Sequence, residues 1–167
     1  MIIQLRVDDR LIHGQVVLLW AKEFATKGIL VANDHAASDS TQAATLKMAC
    51  PQDQKLLIRS VKDAIKVAND PRAKGMRIFA LTDNIGDALA LVQGAPGMVQ
   101  SVNIANVGRF DRSDDDKKVV VASGVTLNPD EVVAAQKLCE TGVSVIRQNG
   151  PTDPSVRFST LLEKLKK

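Results

Sequence analysis

The chain is poor in aromatic side chains. Among its 167 residues are four phenylalanines, one tryptophan and no tyrosine. So sparse a set leaves little to stack on nucleobases, and a net charge of +3 is too mild to track a phosphate backbone, so nucleic acid is not an expected partner. Cysteine is scarce as well. Cys50 and Cys139 stand far apart, with no CxxC or His-x-Cys spacing, and read as two buried or half-buried thiols. No apolar run approaches the roughly 20 residues that cross a bilayer. Met1–Val7 already reads as a strand and charges follow at once, so no signal peptide is expected and the cytoplasm is the default compartment. Nucleotide loops are missing too. There is no Walker loop and no GxGxxG, and Gly94-Ala95-Pro96-Gly97 precedes a strand where a phosphate cradle would open a helix.

What remains is an ordinary globular composition, 45% apolar and 25% charged, in a length that suits one domain over residues 1–167. Short β-branched apolar runs alternate with helical patterns. Strands are expected at Ile2–Val7, Ile29–Asn33, Lys55–Arg59, Met76–Leu81, Val99–Ala105, Val119–Ala122 and Val143–Arg147. Helices are expected at Gly14–Thr26, Ser40–Ala49, Ser60–Asn69, Asn84–Val92, Pro129–Thr141 and Ser155–Lys166. Most of the strands are solid apolar runs, as in sheets covered on both faces. The alternation predicts a three-layer α/β/α sandwich with a mainly parallel sheet of about seven strands, any extra members lying antiparallel at an edge. Asn128-Pro129-Asp130-Glu131 carries a cap, a first-turn proline and two acids, and Gly142 is the expected left-handed terminator of the same helix. Asp83 is placed to cap the helix after the fourth strand. The polar segment Asn106–Lys118 interrupts the rhythm and reads as a loop or hairpin.

The chemistry concentrates in Arg6-Val7-Asp8-Asp9-Arg10-Leu11-Ile12-His13-Gly14. A strand hands over to a helix there, where backbone N–H groups and the helix dipole converge. His13 can present a neutral ring nitrogen near neutral pH, Arg10 carries a fork that matches phosphoryl oxygens, and Gly14 lets backbone approach an anion closely. Three readings stand open for Asp8 and Asp9: fixing the imidazole tautomer, pairing with Arg6 or Arg10 to shape the loop, or binding a metal with His13. Arg6 shares a strand face with Asp8 and either looks into the site or forms an edge pair with it. His35 and Thr82 end the second and fourth strands on the same side, so the Thr82 hydroxyl is a candidate contact. Arg109 and Arg112 are candidate docking charges.

The run Arg-Val-Asp-Asp-Arg-Leu-Ile-His-Gly-Gln-Val resembles the active-site segment of enzyme IIB components of the bacterial phosphoenolpyruvate:sugar phosphotransferase system (PTS), in the mannose/fructose/sorbose family. A Val-Ala-Asn-Asp segment at residues 31–34 and a Ser-Val-Asn-Ile strand at residues 101–104 extend the likeness along the chain. The resemblance implies a cytoplasmic phosphotransferase. It would accept a phosphoryl group on Nδ1 of His13 from enzyme IIA and pass it to a sugar of the mannose, fructose, sorbose or N-acetylgalactosamine class bound by the membrane IIC and IID components. It implies Arg10 as phosphoryl stabiliser, backbone N–H groups around residues 11–14 as helpers, and no cofactor or metal. The family commonly dimerises. Ala105-Asn106-Val107-Gly108-Arg109 departs from the Gly-Gly-Met frequent in mannose-type members, and His35 stands where an acid is frequent. Two other classes compete: a sensor of a phosphorylated metabolite, and a hydrolase using Asp8 and Asp9 with a metal.

Overall fold

The structure, a computed structural model, describes residues 1–110 and 115–166. Seven strands form one twisted sheet in the order β3-β2-β4-β1-β5-β8-β9. Its members are β1 (Ile2–Asp8), β2 (Gly28–Ala32), β3 (Lys55–Arg59), β4 (Ile78–Thr82), β5 (Ser101–Asn106), β8 (Ser144–Arg147) and β9 (Val156–Arg157). Six run parallel, and β9 pairs antiparallel with β8 at one edge. The first strand of the chain is thus central, flanked by β4 and β5, and every parallel strand ends on the same edge as Asp8.

Helices cover both faces. Val17, Trp20, Ala36 and Leu46, from α1 (Gly14–Glu23), α2 (Asp34–Ser38) and α3 (Ser40–Ala49), pack on Ile29, Val31, Phe79 and Leu81. On the opposite face, α4 (Val61–Asn69), α5 (Ile85–Gly94), α6 (Pro129–Glu140) and α7 (Phe158–Lys164) bury Ala64, Ile85, Leu138 and Phe158 against Leu5, Val7, Leu30 and Ile104. The α/β/α sandwich expected from the alternation is therefore present. Alternation along β1 sends Leu5 and Val7 into the second of these cores. Gln4, Arg6 and Asp8 therefore face the α1 side, where each is almost wholly buried.

Several boundaries differ from the sequence reading. Val119–Ala122 is a strand, β6, but it pairs antiparallel with β7 (Val125–Leu127) in a separate hairpin. The seventh place in the sheet goes to β9, inside the segment expected to begin the last helix. That helix starts at Phe158, not Ser155. Helix α1 closes at Glu23, short of Thr26. Ala25 turns left-handed at φ 50°, and the Thr26 N–H reaches the Ala21 carbonyl at 3.0 Å, the closing pattern of a helix C-terminus. Asn84 caps α5, accepting from the Asp87 N–H, so Asp83 does not. Asn128 caps α6 as expected, Glu131 bonds back to the Asn128 N–H to complete a capping box, and Gly142 is left-handed at φ 88°.

Candidate functional site

The loop between β1 and α1 is held by what surrounds it. The Asp8 carbonyl accepts the Leu11 N–H at 2.9 Å, closing a turn, and the Asp9 N–H donates to the Asn106 carbonyl at 3.0 Å. Leu11 sits at φ 57°, a left-handed conformation that costs an L-residue about 1–2 kcal/mol. Its side chain and that of Ile12 are buried against α1 and β4, and such burial contributes roughly 1.5–3 kcal/mol each, enough to hold the turn in place. Trp20 anchors α1 from the other end: it stacks on Phe24 and donates from Nε1 to the Asn149 carbonyl at 3.0 Å.

His13 is exposed and occupies the cap position of α1 in extended conformation, φ −142° and ψ 120°. Its imidazole makes no capping bond to the helix, and the first turn holds no acidic residue. Among the described residues no side chain caps the N–H groups that begin α1. A helix N-terminus left this way attracts anions through its N–H groups and its dipole. Gly14 follows at φ 56°, a conformation that glycine takes without steric cost.

At the start of the same loop lies a polar network centred on Asp8. Arg10 grips the carboxylate twice, Nε to Oδ1 at 3.0 Å and Nη2 to Oδ2 at 3.1 Å, while its own backbone N–H adds a third bond to Oδ1 at 3.0 Å. Asn106 Nδ2 donates to Oδ2 at 3.1 Å, and Arg6 Nη2 approaches the same oxygen at 3.5 Å. Arg6 also donates from Nη1 to the Asn149 carbonyl at 3.2 Å. Farther down, buried Asn103 exchanges two bonds with the Gln148 backbone, at 2.8 and 3.0 Å. The loop after β8 is thereby tied over the polar half of the β1–β5 face.

The protonation energetics follow from this geometry. Burial alone would push the Asp8 carboxyl up, but the Arg10 bonds and the Arg6 charge outweigh it and hold the group below the ordinary carboxylate value. Burial pulls the Arg6 guanidinium down to about 10, against the stabilising Asp8 charge, so it stays cationic near neutral pH. Arg10, bonded to Asp8, is pushed up. Asp9 behaves oppositely to Asp8. Burial raises it, despite a bond from the Arg109 N–H to Oδ2 at 3.0 Å, and its Oδ1 is buried without a hydrogen-bond partner among the described residues.

Of the residues singled out from sequence, Asp8, Arg6, Arg10 and Gly14 do gather around the His13 loop. Arg6 is not an edge charge, since β1 is central. Asp8 takes the loop-shaping role among its three readings: its hydrogen bonds go to Arg10, Asn106 and Arg6. The Arg10 fork is engaged by Asp8 along its Nε–Nη2 edge, which leaves three of its five N–H donors uncommitted among the described residues. Thr82 is fully buried and donates to the Asn84 carbonyl at 3.3 Å, inside its own strand–helix turn, so its hydroxyl does not reach the surface of the site. His35 pairs with Asp39 on the exposed side of α2. Asn33 and Asp34 serve as caps, bonding the N–H groups of Ala36 and Val61. Arg109 is exposed, and Arg112 lies outside the described residues. Sequence reasoning missed Asn106 and Asn149. Asn106 ends β5, the neighbour of β1, and Asn149 follows β8, the next strand out, an order that only the topology reveals. Among the described residues no group of three or more His, Cys, Asp or Glu is placed to hold a metal ion, and no helix is long and apolar enough to cross a membrane.

Comparisons with known proteins meet this geometry. A family model described as "PTS system sorbose subfamily IIB component" matches residues 2–167. A protein of Streptococcus pyogenes serotype M6 described as "Probable phosphotransferase enzyme IIB component" is 47% identical over 163 residues, covering 97% of this chain and 99% of its own. The mannose-specific EIIAB component of Escherichia coli K12 is 32% identical over 162 residues, 97% of this chain but 48% of that longer protein. Among solved structures, the IIBSor domain of the sorbose permease from Klebsiella pneumoniae superposes with a TM-score of 0.87 at 27% identity, covering 98% of this chain and 97% of that one. An exposed histidine at a strand–helix junction, over a buried Asp–Arg network and within a sequence matched from end to end, assigns the chain to a family: it belongs to the sorbose subfamily of PTS IIB components.

Proposed function

We propose that His13 is the phosphoryl carrier of this IIB component, within one IIB domain spanning residues 1–167, and that the chain relays a phosphoryl group from an enzyme IIA phosphohistidine to a sugar. The observation that carries the reading is the exposed His13 imidazole, not spent on capping, at the uncapped N-terminus of α1 with Arg10 three residues away. In the first step the His13 Nδ1 lone pair attacks phosphorus. The P–N bond to the donor imidazole breaks, and its electron pair returns to that ring. In the second step a sugar hydroxyl attacks the same phosphorus, the P–Nδ1 bond breaks, and the hydroxyl proton leaves for the medium. Phosphoryl transfer asks the protein mostly for positioning and charge neutralisation. Here the α1 N–H groups, the backbone at Gly14 and the uncommitted Arg10 donors supply both.

The sorbose subfamily match and the mannose-specific EIIAB relative support a sugar of the mannose, fructose, sorbose or N-acetylgalactosamine class. They also support IIA as donor and a membrane IIC/IID pair as the place where the sugar is met, with the transfer on the cytoplasmic side; association into a homodimer belongs to the same reading. The test is His13→Ala, incubated with phosphoenolpyruvate and the upstream phosphotransferase proteins. Wild type gains one acid-labile phosphate by mass and the variant none. Labelling of the variant at the wild-type level would overturn the assignment. A wild-type chain that takes up no phosphate but binds a phosphorylated metabolite would point to a sensor.

A further inference from the structure

One arm of the network under His13 comes from a residue distant in sequence. Asn106 is the last residue of β5. Its Nδ2 donates to Asp8 Oδ2 and its carbonyl accepts the Asp9 N–H, so it holds both the side chain of one acid and the backbone of the next. Resting on the reading of His13 as the carrier, we propose that Asn106 is a positioning residue for phosphoryl transfer, acting through Asp8 to fix the Arg10 guanidinium beside His13.

Three observations support this. The first is the hydrogen-bond arithmetic at Asp8. Oδ1 is satisfied by the Arg10 N–H and Nε, while Oδ2 lies between Arg10 Nη2 at 3.1 Å and Arg6 Nη2 at 3.5 Å. The Asn106 amide steadies that oxygen with a neutral donor. It adds no third positive charge, and without it the carboxylate is free to swing toward Arg6 and loosen its grip on Arg10. The second is that Asn106 is itself held. The next residue, Val107, is zipped to the β6–β7 hairpin, its N–H donating to the Gly124 carbonyl at 2.9 Å and its carbonyl accepting the Thr126 N–H at 3.0 Å. The third is Gly124, left-handed at φ 79°. A Cβ there would stand only 2.9 Å from Asn106 Oδ1, so glycine at this turn leaves the amide the room it occupies. Arg147, from β8, secures the same turn through the Ser123 carbonyl. The hairpin outside the main sheet thereby acquires a task, bracing the amide that braces Asp8.

The experiment measures acid-labile phosphate by rapid quench, against donor concentration, in wild type, His13→Ala, Asn106→Ala and Asn106→Asp. For Asn106→Ala the saturating rate constant should fall about tenfold, while the half-saturating donor concentration stays within about twofold, because the change lies beneath the loop and not on its docking face. Asn106→Asp adds a readout that a purely structural role would not move. A protonated carboxyl has the shape of the amide and can donate to Asp8, and the Asp8 charge raises the pKa of a carboxyl placed there. Among the described residues the charged groups around the position are Asp8, Asp9, Arg6 and Arg10 from β1 and its loop, Arg109 from the segment after β5, and Arg147 from β8; the hairpin turn Ser123–Gly124 has no titratable side chain. Relative to wild type at the same pH, Asn106→Asp should be at least tenfold slow at about pH 8 and recover to within about threefold at about pH 5.5.

A wild-type saturating rate in Asn106→Ala, a deficit confined to the half-saturating concentration, or a pH-independent Asn106→Asp ratio would each overturn the inference. If Asn106→Ala does not fold by far-UV circular dichroism, the pH dependence of Asn106→Asp decides alone. The two readings fail separately. Phosphate uptake by His13→Ala removes the carrier assignment and this inference with it. An inert His13→Ala beside Asn106 variants of wild-type behaviour removes this inference alone.

Discussion

The chain contains the same three-residue device twice. In Asp8-Asp9-Arg10 the arginine bonds the carboxylate through its backbone N–H at 3.0 Å, Nε at 3.0 Å and Nη2 at 3.1 Å. In Asp70-Pro71-Arg72 the equivalent bonds measure 2.9, 3.1 and 2.7 Å. Spacing and local backbone dictate the pair in both places. The surroundings differ. Arg72 is 88% exposed, and its pair caps a 3₁₀ turn over Pro71–Gly75. The Asp8 side chain is 3% exposed, at the end of the central strand, with Asn106 and Arg6 added to its partners. Arg72 bonds hold the Asp70 carboxyl at about 2, while Asp8 stays below the ordinary value in spite of burial. A motif of this size therefore reads as a turn device until the fold supplies a second tier of partners.

Exchanging the acids should separate the two most sharply. Asp8→Asn leaves two guanidiniums, one of them buried, without their counter-charge. Breaking a buried pair in this way costs about 3–5 kcal/mol, to be read as a lower urea midpoint. Asp70→Asn should leave the midpoint near the wild-type value, because exposed pairs are screened by water and salt. Equal midpoints for the two variants would break the distinction.

Next in size is catalysis. Arg10→Ala should remain folded yet transfer phosphoryl at least about tenfold more slowly, roughly 1.4 kcal/mol in the barrier. Arg72→Ala should transfer at the wild-type rate. A slow Arg72→Ala, or a fast Arg10→Ala, would erase the functional difference between the devices.

The smallest effect lies in acid stability. Asp8 has a folded-state pKa below its unfolded value. Its contribution is therefore fully present above the unfolded value, near 3.9, and is lost as pH falls through the folded one. Asp9, raised by burial, works the other way, and its contribution is lost as pH rises through its folded value. Urea midpoints followed downward through about pH 4 should therefore fall in wild type and flatten in Asp8→Asn. A wild-type slope retained in Asp8→Asn would assign acid sensitivity to other carboxylates.

How far these features can be read from sequence follows sequence distance. Central parallel strands are buried on both faces, so β2 and β4 announce themselves as solid apolar runs, and the start of α6 is written in four adjacent residues. The Asp8–Arg10 pair is legible because its partners are two positions apart. Helix α2 has five residues and β9 two, too few for any periodicity to develop, and β9 hides beneath a serine that looks like a helix cap. β6 has the composition of a sheet strand, and the local sign that it pairs with β7 instead is the Ser123-Gly124 turn between two β-branched runs. Asn106 and Asn149 are unremarkable in their own segments. They matter because β5 ends beside β1 and the loop after β8 reaches Arg6 of β1, and contacts between segments so far apart leave no mark in either sequence.

The separation has a consequence for the newborn chain. His13 and Arg10 are made well before their partners, since the bonds that steady the loop span 98 positions to Asn106 and 143 to Asn149. Local turns form early, while closures of that length await most of the polypeptide and weigh on folding speed. On the proposed reading, competence to take up phosphate is among the last properties the chain acquires as it folds. A ribosome-stalled or truncated chain ending before Asn149 would display the histidine without the clamp beneath it, so phosphate uptake would also report that folding is complete.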